Sequence, residues 1–155
     1  MGLEKKPSLG AEARESIQCV ANKVNCCNGS HNAVAAITHK LLKGRYVCAL
    51  PNGKLWYSFD GLLWEEDKDA VRMRHELSTT VRDQFMIAMN KDMQSMQNLR
   101  EMCSARDHLM RVASSLQDAG FKGAVIRELR EYMYDETFLS GLDADPNLLA
   151  FTNGV

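Results

Sequence analysis

Four histidines, five cysteines and one dense run of acids are the residues of this chain equipped for chemistry, and their spacing decides whether they can perform it. Structural zinc takes thiolates and imidazoles in pairs two to four residues apart, with a second pair further on. Cys19, Cys26, Cys27 and His31 do not keep that spacing and read as buried or idle thiols. The histidines (His31, His39, His75, His108) are scattered, with no HExxH-type pair among them. Cys103 and His108 stand five apart on a predicted helix, so they point in different directions and do not form a dyad. The run Glu65-Glu66-Asp67-Lys68-Asp69 invites a metal reading, but carboxylates where a strand meets a helix are more often caps and solvated charge. A P-loop needs glycines to cradle phosphates and then Lys-Ser/Thr; Gly120-Phe121-Lys122-Gly123 lacks that spacing. No apolar strand ends in paired acids, and no serine sits in a nucleophile elbow. The expectation is a segment with no catalytic residue, no metal and no cofactor of its own.

Binding chemistry is what remains. His39, Lys40, Lys43 and Arg45 form a small basic cluster, Lys54 falls on a predicted turn, and Arg72 and Arg74 open a predicted helix. All six cations are candidates to line a path for single-stranded nucleic acid, where charge tracks the backbone and aromatics stack on bases. Lys54 is the best single candidate, because a turn leaves its side chain free to project. Each has a bland alternative: lysines near a helix C-terminus also complement its dipole. Trp56, Tyr57 and Trp64 are the aromatics available for stacking, although clustered hairpin aromatics more commonly serve a core. The net charge of −1 exerts no global pull on DNA. Residues 1–60 carry eight Lys/Arg against four Asp/Glu, and residues 61–155 carry eleven against sixteen. That mild asymmetry would orient DNA near the amino-terminal half, but solvated charge is the commoner reading of it.

The element that must position these groups is the stretch from Gly44 to Asp67. Arg45–Leu50 and Leu55–Phe59 are rich in β-branched and aromatic residues and flank Pro51-Asn52-Gly53, in which Asn-Gly is the strongest short hairpin signal, for a type I′ turn. Asp60-Gly61 offers a second turn before Leu62–Glu66. Tyr46, Cys48 and Leu50 share one face of their strand, and so do Leu55, Tyr57 and Phe59 of theirs. An isolated hairpin is at best marginally stable, so it needs helical cover. Helices are predicted from about Ala11, from His31 to Lys43 with Ser30 as N-cap and Gly44 as its stop, from Asp67 onward, around Leu109–Leu116, and from Phe121 to Tyr134. The first of these ahead of the second, with the hairpin beyond, also permits a winged-helix arrangement in which Lys54 is a wing tip. In the long run after Asp67, Val71, Leu77 (or Met73), Val81, Phe85 and Ala88 mark an apolar face. Met86, Met89, Met93 and Met96 continue it as a stripe, read as core rather than partner surface. The helix around Leu109–Leu116 is expected to close at Asp118-Ala119-Gly120. The fold class is therefore α+β, predominantly helical with one antiparallel β-hairpin or small three-stranded sheet.

Two separated blocks of sequence carry a family likeness. They are Trp56-Tyr57, Asp60-Gly61 and Trp64, and the terminal Asp145-Pro146-Asn147-Leu148-Leu149-Ala150-Phe151 with Asn153-Gly154-Val155. In this order they resemble the domain that precedes the superfamily-III helicase motor in primase-helicases of poxviruses and other large DNA viruses, and in related phage and plasmid primases. The resemblance runs from Ala33 to Val155. It implies structural roles for Trp56, Tyr57, Asp60, Gly61, Trp64, Asp145, Pro146, Leu149, Asn153 and Gly154. It further implies a non-catalytic linker or collar module of a DNA-replication primase-helicase, self-associating within a parent hexamer, with ATP and magnesium acting only in the motor. A disordered tail over residues 1–10, then a single domain over 11–155 truncated just before the ATPase, is the expected organisation. The odd cysteine count, with Cys26 and Cys27 adjacent, suits a reducing intracellular compartment, the host cytoplasm or nucleus. No apolar run approaches a membrane span. The alternative is a scaffold that docks replication proteins without touching DNA.

Overall fold

The structure is a computed structural model that describes residues 27–92 and 99–142. The expected tail, the helix from Ala11, and the block holding Asp145, Pro146, Leu149, Asn153 and Gly154 lie outside the described residues.

Helix α1 spans His31–Leu41. Ser30 is extended, and its hydroxyl accepts from the Ala33 amide at 3.2 Å, satisfying one of the donors that every helix start leaves open. Val34, Ala35, Ile37 and Thr38 are its buried stripe, and the Thr38 hydroxyl is satisfied by donating to the Val34 carbonyl at 2.8 Å. Beyond Leu42, Gly44 takes a φ of +77°, a conformation that costs a glycine nothing. Strands β1 (Tyr46–Cys48), β2 (Trp56–Phe59) and β3 (Trp64–Glu66) form an antiparallel meander in the order β1-β2-β3. Tyr46 faces Ser58, Cys48 faces Trp56 and Phe59 faces Trp64. The period-2 alternation therefore puts Tyr46, Cys48, Trp56 and Ser58 inward, while Val47, Tyr57, Phe59 and Trp64 look outward.

The first turn differs from expectation. The Gly53 amide donates to the Leu50 carbonyl at 2.9 Å, so Pro51 and Asn52, not Asn52 and Gly53, are the central pair. Proline fixes a negative φ, which excludes a type I′ turn there; only Gly53, at φ +72°, is left-handed. The second turn is as read: the Asp60 carboxylate accepts from the amides of Leu62 and Leu63, both at 2.7 Å.

The helical run after the sheet starts later than its acids suggested. Lys68–Ala70 is a 3₁₀ turn with Asp69 and Ala70 both left-handed, at φ 54° and 51°. Helix α2 begins only at Val71 (Val71–Glu76), passes through a π-helical turn at Leu77–Val81, and continues as α3 over Arg82–Asp92. Asp67 explains the delay. Its amide extends the sheet by donating to the Trp56 carbonyl at 2.8 Å. Its buried carboxylate caps α2 by accepting from Arg72 at 2.9 Å and Met73 at 3.1 Å. Met73, Leu77, Val81, Phe85, Ala88 and Met89 then form the buried stripe, and Val71, expected on it, is 62% exposed instead. Met86 packs against this core in part; Met93 and Met96 lie outside the described residues. Helix α4 spans Leu99–Ser115 and packs along α3. Asp118, read as a helix end, is the N-cap of α5 (Ala119–Met133): its carboxylate accepts from the Phe121 amide at 2.7 Å. Gly120 and Gly123 therefore sit inside α5, which packs along α1. After α5, Tyr134 bridges Cys48 at the outer edge of β1, and a short helix α6 follows at Phe138–Gly141.

Candidate nucleic-acid interface

The six candidate cations do not converge. Arg72 and Arg45 line one open groove of about 450 Å³ with Ser58, Asp60, His75 and Glu76, between the sheet edge and α2. Both arginines are half-exposed and both are already engaged. Arg72 donates to the Glu65 carboxylate at 2.5 Å and to the Ser58 hydroxyl at 2.9 Å. Arg45 donates to Glu76 at 2.6 Å. The Glu65 hydrogen bond and charge hold the Arg72 guanidinium's protonation above its ordinary range. Asp60 on the same rim stays ionised below the usual carboxylate range, because the Leu63 and Leu62 amides bind its charged form. Two arginines facing two glutamates and an aspartate make a near-neutral groove, a poor attractor of phosphate. Arg74 is half-buried, reaches the Asp69 carbonyl at 3.3 Å and lies over Gly123.

Lys54 and Lys43 are placed differently. Lys54 is exposed at the hairpin tip, fixed through its backbone by the Asn52 side chain at 2.9 Å. The tip is held down from below: a Cβ on Gly53 would lie 3.1 Å from Arg130 Cδ, so glycine is needed there for space as well as for φ. Arg130, on α5, is a cation under the hairpin that sequence reading missed, since nothing in the spacing of α5 announces the strand turn above it. Lys43 is exposed past the end of α1, and Lys40 is half-buried on its last turn beside His39. Among the described residues neither Lys43 nor Lys54 has an ion-pair partner.

The aromatics divide by sheet face. Trp56 is only 2% exposed, and its indole N–H donates to the Gly53 carbonyl at 2.9 Å; it is core. Tyr57 and Trp64 are partly buried on the outer face, where Phe138 of α6 packs on both at centroid distances of 5.1 and 5.0 Å. Phe59 adjoins Trp64 at 5.1 Å. Phe138 was legible only as part of a short helical turn; its approach to Tyr57 is tertiary. Burial pushes the Cys27 and Cys48 thiols up, away from the reactive thiolate. Among the described residues, no three His, Cys, Asp or Glu side chains converge as a metal set would. No described helix is long and apolar enough to cross a membrane.

These features define a small, predominantly helical α+β module with two lysines unpaired among the described residues and a cluster of aromatics on the outer side of its sheet. The family model described as "D5 N terminal like" matches residues 35–155, and the chain belongs to that family. The resemblance carried by Trp56-Tyr57, Asp60-Gly61 and Trp64 is thereby borne out. The chain is also similar to a candidate helicase of Acanthamoeba polyphaga mimivirus, 28% identical over 131 residues, covering 81% of this chain and 14% of that protein. A candidate helicase of frog virus 3 (isolate Goorha) is 26% identical over 162 residues, covering 82% of this chain and 17% of that protein. The chain thus spans about a sixth or less of the length of these curated relatives.

Proposed function

We propose that this domain is a non-catalytic linker or collar module of a viral DNA-replication primase-helicase. It supports oligomerisation of the ring ATPase and guides single-stranded DNA toward it, while ATP and magnesium act in the motor domain. Membership of the family, together with two relatives named as helicases, is the observation that carries the reading. The geometry adds a revision of the candidate residues. Arg45 and Arg72 are committed to glutamates, so the guiding contacts fall to Lys54 and Lys43, with Arg130 beneath the hairpin. The partners are then other copies within the hexamer and a single strand, at the intracellular site of viral DNA replication. A second reading, a scaffold that docks replication proteins without DNA, draws support from the neutralised groove of Arg45 and Arg72.

Fluorescence anisotropy of a labelled single-stranded oligonucleotide, titrated at low and at moderate salt, separates the two. Guiding predicts binding that falls steeply with salt as cationic contacts release counterions, and that weakens in Lys54→Ala. Absence of binding at low salt removes DNA guidance and leaves the docking role.

A further inference from the structure

We propose that the outer side of the sheet carries a nucleobase trough. One unstacked base of a single strand lies against Trp64 and Tyr134, its exocyclic amine on Asp135 and its phosphate at Lys43. This rests on the DNA-guiding reading and deepens it by naming where a base is held and which bases are preferred.

Two open grooves, of about 250 Å³ and about 460 Å³, meet there and share Val47, Trp64 and Asp135. The first is also lined by His39, Lys43 and Tyr134, and the second by Phe138. Trp64 is clamped by Phe59 and Phe138 yet keeps part of its surface exposed, and Tyr134 is 40% exposed. A pre-positioned aromatic pays little ordering entropy when a base stacks on it. Asp135 supplies an acceptor. One of its oxygens, Oδ1, takes the Thr137 amide at 2.9 Å and the Thr137 hydroxyl at 2.7 Å, which fixes the carboxylate and leaves Oδ2 outside those two bonds. The Thr137 hydroxyl, and then its amide, hold the Asp135 carboxyl below the usual range, so it is charged at neutral pH. A negative charge in mid-trough repels a phosphate but accepts from an amine. Lys43, at the other end, is the cation a phosphate requires.

His39, on α1, borders the first of these grooves. Its Nδ1 is buried with no partner among the described residues, while its ring stacks on Tyr132 at 5.6 Å. Burial first, then the charges of Lys43 and Lys40, disfavour its protonation.

A peptide fits less well. Extended peptides bind by adding a strand to an open edge. The β1 edge bordering the trough is already taken, by the Cys48–Tyr134 bridge and the Asp135 amide donating to the Cys48 carbonyl at 3.1 Å.

Cytosine, adenine and guanine each offer an exocyclic amine to a carboxylate; thymine offers none. Anisotropy titrations of the chain with oligo(dC) and oligo(dT) of equal length should show oligo(dC) binding about tenfold more tightly or better, the lower end of one hydrogen bond to a charged group. Asp135→Asn, at an exposed position, should erase that preference, since its amide can also donate to thymine. Trp64→Leu should weaken both oligomers about tenfold. Equal affinities in the wild type, or a preference that survives Asp135→Asn, overturn the trough. In that case salt-sensitive binding lost in Lys54→Ala still upholds guidance. No binding of either oligomer at low salt overturns both.

Discussion

Trp56 and Trp64 stand eight residues apart on adjacent strands of one meander, and they live in different worlds. On the inner side, Trp56 is buried with its indole satisfied by Gly53, Asp67 caps two amides, and Arg72 is held by Ser58 and Glu65. On the outer side, Trp64 and Tyr134 stay partly exposed, Lys54 projects from the tip, and His39 leaves a nitrogen unpaired. The same residue types occur on both sides. The strand period, and helices that cover the inner face more fully than the outer, decide which of them stabilise and which remain free to bind. An arginine or a tryptophan in a basic, aromatic stretch is therefore no evidence of ligand contact until its side of the sheet is known.

The comparison breaks most visibly in stability. Trp56→Ala empties a fully enclosed site and should cost about 3–5 kcal/mol in urea denaturation. Trp64→Ala, partly exposed, should cost less. Equal losses would mean that the outer aromatics are as structural as the inner ones. Asp67→Ala should come next, at about 2 kcal/mol, because it strands the Arg72 and Met73 amides at the start of α2 and releases two left-handed residues. Asp67→Asn, keeping one acceptor oxygen, should fall between Ala and wild type.

Tyr46 sharpens the contrast through pH. Burial, and then the nearby Glu76 carboxylate, push its phenol up to about 12. A phenol ionises near 10 in an unfolded chain. The unfolded state therefore loses this proton first, and the stability Tyr46 contributes is complete below about pH 10 and lost as pH rises through about 12. Absorbance at 295 nm should show one of the four tyrosines ionising last. Tyr46→Phe should flatten the alkaline loss of stability while changing little at pH 7.

What was legible in the sequence followed from local rules. The Ser30 cap, the Gly44 stop, the Asp60-Gly61 turn and the Met73–Ala88 stripe all depend on residues within a few positions of each other. What was not legible depended on the chain meeting itself. The start of α2 moved to Val71 because Asp67 spends its amide on Trp56, eleven residues earlier. The hairpin turn shifted by one residue because Pro51 dictates its own φ. The groove pairing Arg45 with Glu76, Arg130 under Gly53, and Phe138 on Tyr57 join elements that no sequence period connects. The predicted turn already set Lys54 apart from the other candidate cations, but only tertiary pairing shows that Arg45 and Arg72 are committed to glutamates.

The subtlest test addresses that last separation. Each phosphate contact on a single strand contributes about 0.7 to the slope of log affinity against log salt. Lys54→Ala should change stability by less than about 0.5 kcal/mol, since its side chain is exposed at a turn. It should nonetheless lower that slope by about 0.7. Arg72→Ala breaks a half-exposed pair, and because its charge is already matched by Glu65 it should leave the slope unchanged. Glu65→Gln is the control: removing the matching carboxylate frees Arg72, and the slope should then steepen. If Arg72→Ala flattens the slope as much as Lys54→Ala does, a phosphate displaces Glu65 in the complex, and the paired side of the sheet is a binding surface after all.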